Sequence, residues 1–207
     1  GRAAVRCGMF GSALIHLPRT GVSLEKDRPK MQRRTVLLGL ATLPLAACDA
    51  TPAPPGKPGP PITLVSAFEG RTTGRGHFRV WLTGDERRFT ARLNGSVAGV
   101  DGSRTLTVVE DFLYDDGQQD RLTWVFRETG PGRWSGQRED IVGEAVAVEE
   151  DGRIRLSYTA DFRSASGVNR LGFEDILYAR SDGTIVNDAV VSRAGLAAAS
   201  VRFVIRR

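Results

Sequence analysis

From Ile62 to the C-terminus the sequence alternates apolar and polar residues in segment after segment. Ile154, Leu156, Tyr158, Ala160 and Phe162 alternate with Arg153, Arg155, Ser157, Thr159 and Asp161. Phe78, Val80 and Leu82 alternate with His77, Arg79 and Trp81, and Leu122, Trp124 and Phe126 with Thr123, Val125 and Arg127. Val201, Phe203 and Ile205 alternate with Arg202, Val204 and Arg206. A period of two puts successive side chains on opposite faces of a strand, so these segments read as half-buried antiparallel strands. Turn signals separate them: Gly84-Asp85, Asn94-Gly95, Asp101-Gly102, Asp116-Gly117, Gly130-Pro131-Gly132, Asp151-Gly152 and Asp182-Gly183. Asn-Gly and Asp-Gly supply the positive φ angles of tight hairpins.

The spacing predicts strands over 63–69, 75–82, 87–97, 104–114, 120–128, 132–138, 142–149, 153–162, 169–179 and 184–191, with 200–206 as a further one. No segment sustains a 3.6-residue period. The one helix-like stretch is SRAGLAAA, 192–199. A long meander must deal with its two edges, and closure removes them. The expected fold is therefore all-β, an antiparallel meander closing into a lipocalin- or calycin-like barrel or half-barrel. A two-sheet β-sandwich is the alternative.

The N-terminal quarter has a different character. MQRRTVLLGLATLPLAACDA, residues 31–50, combines a positive start at Arg33 and Arg34, an apolar run from Val36 to Ala47 and small residues before Cys48. The run is too short for a bilayer-spanning helix, which needs roughly 20 residues, and Pro44 would break it. It reads as a targeting segment. Leu45-Ala46-Ala47-Cys48 resembles the lipobox of bacterial lipoproteins. That resemblance implies cleavage between Ala47 and Cys48, acylation of Cys48 and a stable lipid anchor, since two or more acyl chains suffice where one is marginal. Residues 32–37 also resemble a twin-arginine export signal, and a general export signal fits them equally. Residues 1–30 read as translated upstream sequence with Met31 as the start. Residues 48–61 carry six prolines, which favour an extended tether. Residues 62–207 are expected to be one all-β domain.

This division changes the charge balance. The chain carries 29 basic and 24 acidic residues. Eight of the basic and two of the acidic ones lie in 1–47, so residues 48–207 hold 21 and 22, a net of −1. A basic domain, the usual mark of a nucleic-acid binder, is not indicated, nor is a polybasic hold on anionic lipid. Cys48 is the one cysteine after the signal, so no internal disulfide or cysteine-based zinc site can form there.

Two segments echo each other. Glu110-Asp111-Phe112-Leu113-Tyr114 precedes Asp116-Gly117, and Glu174-Asp175-Ile176-Leu177-Tyr178 precedes Asp182-Gly183. In each, one carboxylate shares a strand face with apolar residues, and a buried carboxylate needs a partner or a raised pKa. Glu110, Asp111, Tyr114, Glu174, Asp175 and Tyr178, with Trp81, Trp124 and His77, are the candidates for a polar interior that orients a ligand. The competing reading is a structural network of arginines and carboxylates.

The LAAC motif, FEGRTTGRGHF at 68–78, RRFTARLNG at 87–95, VVEDFLYDDG at 108–117, RETGPGRWSG at 127–136, Val142-Gly143 and FEDILY at 173–178 together resemble the bacterial lipoproteins of the domain of unknown function 3833 family. The resemblance implies a membrane-attached envelope protein and brings no catalytic residues with it.

Catalytic signatures are weak. His77 is the one histidine after the signal, no G-x-S-x-G elbow occurs, and the glycine-rich stretch 70–76 lacks a P-loop lysine. Asp115, Asp116 and Asp120 do not follow the order of a calcium loop. No metal or other cofactor is expected. The leading expectation is a non-catalytic barrel that binds an apolar or amphipathic, lipid-like molecule, with Phe78, Phe112, Phe126, Trp81 and Trp124 available to line it. It is anchored through Cys48 to the inner or outer membrane and faces the periplasm. The alternatives are a scaffold lipoprotein docking another envelope protein, whose identity the sequence does not give, and a hydrolase using His77.

Overall fold

The alternation resolves into ten strands: β1 (Gly70–Val80), β2 (Glu86–Ala98), β3 (Thr105–Tyr114), β4 (Gln119–Gly130), β5 (Arg133–Gln137), β6 (Ala145–Glu150), β7 (Arg153–Ser164), β8 (Gly167–Ala179), β9 (Ile185–Arg193) and β10 (Leu196–Arg206). The computed structural model describes residues 59–164 and 167–207. The expected targeting segment, Cys48 and most of the expected tether therefore lie outside the described residues. Each strand pairs antiparallel with its neighbours in sequence, and β10 pairs with β1 to close a barrel. The closing ladder runs from Thr73 opposite Arg206 to Val80 opposite Ala199. The expected barrel is thus the fold, and the sandwich alternative is not.

Three local expectations are corrected. Residues 63–69 are not a strand: Leu64–Phe68 forms a short helix, α1. Thr63 Oγ1 accepts from the Ser66 amide at 3.1 Å, and Ser66 Oγ accepts from the Thr63 amide at 2.8 Å. This reciprocal capping box starts a helix even in a β-rich chain. Ile62 and Leu64 also fit a period of two, but Leu64, Ala67 and Phe68 bury the i, i+3, i+4 stripe of a helix.

Residues 192–199 are not helical. They hold the β9–β10 hairpin, whose tip is Ala194 (φ 51°) and Gly195 (φ 80°). Two consecutive positive φ values are the signature of a tight primed turn. Ala197, Ala198 and Ala199, which suggested a helix, lie in β10. Asn94-Gly95 is not a turn either: it lies within β2, opposite Val109 and Val108 of β3.

Ten strands enclose a wider lumen than eight, and large side chains must fill it. The aromatic residues Phe89, Phe112, Trp124, Phe126, Trp134, Phe173 and Phe203 all belong to the interior packing. Helix α1 closes one end. Leu64, Ala67 and Phe68 join the same apolar cluster as Leu93, Leu106, Trp134 and Ile154.

Glu149 of β6 fastens this plug. Its Oε1 accepts from the Leu64 amide at 2.7 Å and from the Trp134 indole N–H at 3.0 Å. Trp134 is 1% exposed, so losing the acceptor strands a buried donor, and each stranded donor costs about 1–3 kcal/mol. Glu149→Ala should lower unfolding stability by about 2–4 kcal/mol, read as a fall in the urea midpoint at unchanged slope. Glu149→Gln, which keeps a carbonyl acceptor, should lose clearly less. Equal losses in the two variants would contradict this role.

Candidate functional site

Alternation decides which side chains enter the lumen. On β3 and β4 the even-numbered residues point inward, and on β2 and β8 the odd-numbered ones do. Inside lies a cavity of about 160 Å³ lined by Phe89, Phe112, Trp124, Tyr158, Phe173 and Phe203, among other apolar residues. Polar groups enter at few places: Glu110 from β3, Asp175 from β8, Asn187 from β9, Arg138 from the β5–β6 connection and Arg87 from β2.

Arg138 reaches the lumen because its loop is tied to β7. The Val142 amide donates to the Thr159 carbonyl at 2.8 Å, and the Asp161 amide to the Asp140 carbonyl at 2.9 Å. The guanidinium then makes a bidentate pair with Asp140, Nε to Oδ1 at 2.7 Å and Nη2 to Oδ2 at 3.0 Å. It also lies 4.5 Å from the centre of the Trp124 ring and 5.3 Å from that of Tyr158. Such a cation is held by charge, by two parallel hydrogen bonds and by two aromatic faces.

Glu110 is 7% exposed and Asp175 is 4% exposed. Burial pushes the Glu110 carboxyl up to about 7, with Arg138 opposing the rise. Burial likewise pushes Asp175 up to about 7, opposed by the Asn187 hydrogen bond and by Arg138. Burial, with Asp175 nearby, raises the Tyr158 hydroxyl well above its ordinary value, so it stays protonated. Asp175 Oδ2 accepts from Asn187 Nδ2 at 2.8 Å. Among the described residues, Asp175 Oδ1 and Asn187 Oδ1 are buried without a hydrogen-bond partner.

The structure brings Glu110, Asp175, Tyr114 and Trp124 together around the cavity. It places the other candidates elsewhere. Asp111 points outward and pairs with Arg121 at 2.6 Å. Glu174 is exposed on the outer face. Tyr178 is buried on the outside of the barrel, where its hydroxyl donates to Asp188 at 3.0 Å and Arg202 clamps the same carboxylate. Trp81, 50% exposed, sits at the β1–β2 turn and donates to Ser200 Oγ at 3.2 Å. His77 faces outward opposite Arg88 and Arg202, beside Arg75 and Asp115.

The sequence echo therefore inverts in space. In its first copy the Glu and Tyr point inward and the Asp outward; in the second the Asp points inward and the Glu and Tyr outward. A shift of one residue in strand parity exchanges the faces.

Arg138 and Asn187 were not singled out from sequence. Arg138 ended the expected strand 132–138, whereas β5 stops at Gln137 and Arg138 lies in the connection to β6, and Asn187 is a polar residue on an inward position of β9. Tyr158, by contrast, is legible in the alternation of β7.

The outer face of β10, β1 and β2 carries exposed Arg71, Arg75, Arg79, Arg88, Arg92, Arg202 and Arg206. The near-neutral net charge of residues 48–207 conceals this segregation. Among the described residues no group of three or more His, Cys, Asp or Glu side chains is placed to hold a metal ion. No helix among them is long and apolar enough to cross a membrane.

A solved structure with a similar barrel is the S-type phycobiliprotein lyase CPES from Guillardia theta. The likeness has a TM-score of 0.50 at 8% identity, covering 66% of this chain and 85% of that one. Rv2717c from M. tuberculosis gives a TM-score of 0.47 at 15% identity, over 69% of this chain and 94% of that one. At 8% identity the likeness to the lyase is one of fold alone. No curated protein matches the chain. Residues 42–207 match the family model described as protein of unknown function, DUF3833, and the chain belongs to that family.

Proposed function

We propose that this chain is a membrane-anchored lipoprotein of the bacterial cell envelope whose barrel is a non-catalytic module for an apolar or amphipathic small molecule. The observation that carries the binding reading is the cavity itself. It leaves about 160 Å³ open among aromatic rings and places two unpartnered buried acceptors at its wall. An apolar void of roughly 150 Å³ accepts a molecule the size of benzene, whereas whole drug-sized ligands need roughly 300–1,000 Å³. The cavity therefore suits one ring-sized or short-chain group, or the end of a longer molecule. A complete acyl chain would require side chains to move. The barrel of the phycobiliprotein lyase supports the reading at the level of fold alone.

The anchoring reading rests on the lipobox-like Leu45-Ala46-Ala47-Cys48 and the proline-rich tether after it. Acylated Cys48 would hold the barrel at the inner or outer membrane, facing the periplasm. Expressed from Met31 in a bacterial host, the wild type should take up labelled palmitate and sediment with membranes. Cys48→Ser should incorporate none and lose the processed, membrane-bound form. A wild type without label would sink the anchor. For the cavity, native mass spectrometry of protein purified gently from its own host should show a bound small molecule. A clean apo mass would count against the binding reading.

A further inference from the structure

The polar wall of the cavity has an excess of acceptors. Glu110 and Asp175 share the cavity lining with the guanidinium of Arg138, which is already committed to Asp140 through two hydrogen bonds. Arg87, at the rim, is engaged with Asp116 and Gln118 through Nη2, its guanidinium lies 3.8 Å from the Tyr114 ring centre, and its Nε is buried without an acceptor among the described residues. Asp175 and Asn187 stand on adjacent strands β8 and β9. Their mutual hydrogen bond uses Asp175 Oδ2 and Asn187 Nδ2, which leaves Asp175 Oδ1 and Asn187 Oδ1 without donors. Two unmet acceptors in a buried, mostly aromatic cavity are costly. One ligand group with two or more N–H bonds would satisfy both.

We propose that the barrel recognises an apolar, ring-sized group bearing a protonated amine, its N–H bonds directed at Asp175 Oδ1 and Asn187 Oδ1. The proposal rests on the reading of the cavity as a small-molecule site and specifies the chemistry of its ligand. A carboxylate seated at Asp175 and Asn187 would bring only acceptors and negative charge to two oxygens that lack donors, so a free fatty acid is the wrong class for that end of the cavity; the donor that could receive one, Arg87 Nε, lies at the rim. A neutral hydroxyl supplies one donor and satisfies half of the need. The surrounding rings favour a cation further: Tyr158 and Phe173 stack at 4.7 Å, and Trp124 meets Tyr158 edge-on at 5.3 Å. Charged and titratable groups around the seat come from every adjoining element: Glu110 on β3, Glu139 and the Arg138–Asp140 pair on the β5–β6 loop, Tyr158 on β7, and Glu174 on the outer face of β8.

The test uses four probes of nearly one shape, toluene, benzylamine, benzyl alcohol and benzoate, titrated into the full chain at pH 7.5 by calorimetry. Benzylamine should bind at least about 10-fold tighter than toluene, the gain expected of hydrogen bonds to a charged acceptor. Benzyl alcohol should fall between them, and benzoate should be weakest. Asp175→Asn should abolish the benzylamine advantage, read as the ratio of benzylamine to toluene affinity within the variant. Asn187→Leu, which removes the second acceptor by a different change, should reduce the advantage several-fold. Benzoate binding as tightly as benzylamine, no preference over toluene, or an advantage surviving both substitutions would overturn the amine assignment and leave the binding site standing. Failure of all four probes, toluene included, would overturn the binding reading and this assignment with it.

Discussion

Between pH 4.5 and pH 8 the barrel should lose stability as the solution becomes more alkaline, and Glu110→Gln and Asp175→Asn should each flatten that loss. Both carboxyls titrate near 7 in the folded protein because burial penalises their charged forms. In the unfolded chain they titrate near 4.5 and 3.8. Over the intervening window the folded state holds protons that the unfolded chain has already released, so stability falls as pH rises. The contribution is fully present below the unfolded values and is lost by the time pH has passed 7. One pKa unit corresponds to about 1.4 kcal/mol, so each group accounts for a loss on the order of 3–4 kcal/mol, Asp175 the larger. Carboxylates with lowered pKa act in the opposite direction and at lower pH. Glu128, held at about 2 by hydrogen bonds from Arg104, is the clearest. The alkaline limb therefore isolates the two buried groups. Urea unfolding should show each amide variant close to wild type at pH 4.5 and more stable by up to about 3–4 kcal/mol at pH 8. Parallel wild-type and variant curves across the window would show that neither carboxyl is ionised against its surroundings. The same experiment bears on the ligand, because a bound amine would restore a partner to Asp175 and shrink the alkaline loss.

Which of these features the sequence could disclose follows from what a period of two encodes. Alternation records which residues share a face, so the strands, their order and the inward place of Glu110, Trp124 and Tyr158 were legible. It does not record which of two faces is inward when both carry apolar residues. β8 reads Phe173-Glu174-Asp175-Ile176-Leu177-Tyr178, and Ile176 and Tyr178 are as buried outside the barrel as Phe173 and Leu177 are within it. Only the pairing of β8 with β7 and β9 settles its parity, and the echo with β3 pointed the wrong way. Arg138 closed the expected strand 132–138, but its place in a connection and its partners were illegible for a different reason. It enters the lumen from a connection whose path is fixed by long-range backbone bonds to β7. Net charge failed because it averages over position: the arginines of β10, β1 and β2 collect on one outer face while carboxylates elsewhere cancel them in the sum. The helix at 64–68 was hidden by its length, since over five residues a period of two and a period of 3.6 share Leu64 and Phe68 and differ only at Ser66 and Ala67.

The join between that helix and the sheet should be the least forgiving point in the barrel, and Gly95→Ala should expose it. Gly95 lies within β2, opposite Gly70 of β1 and Val108 of β3, and bridges Glu69 just after α1. A Cβ there would be built into the carbonyl oxygen of Phe68, with the Phe68 carbonyl carbon 2.7 Å away and the Glu69 Cα 3.3 Å away. Its φ is not in the left-handed region, so the backbone would accept alanine; the obstacle is contact with other backbone. Side chains can turn away from an intruding methyl, but this backbone can yield only if α1 lifts from the barrel end. Lifting it would draw Leu64 and Phe68 out of the apolar cluster and break the Leu64–Glu149 hydrogen bond. The expected cost is about 3–5 kcal/mol, above the usual range for overpacking because the relief itself unpacks a core element. Gly102→Ala provides the contrast. Gly102 has φ 86° with nothing within 4 Å of the built Cβ, so strain alone should cost it about 1 kcal/mol. Because the clash involves the Phe68 carbonyl and not its ring, Phe68→Ala should fail to rescue Gly95→Ala. Thermal melts of the two glycine variants and of the double mutant decide the matter. A Gly95→Ala midpoint near that of Gly102→Ala would mean that α1 does not press on β2 as described.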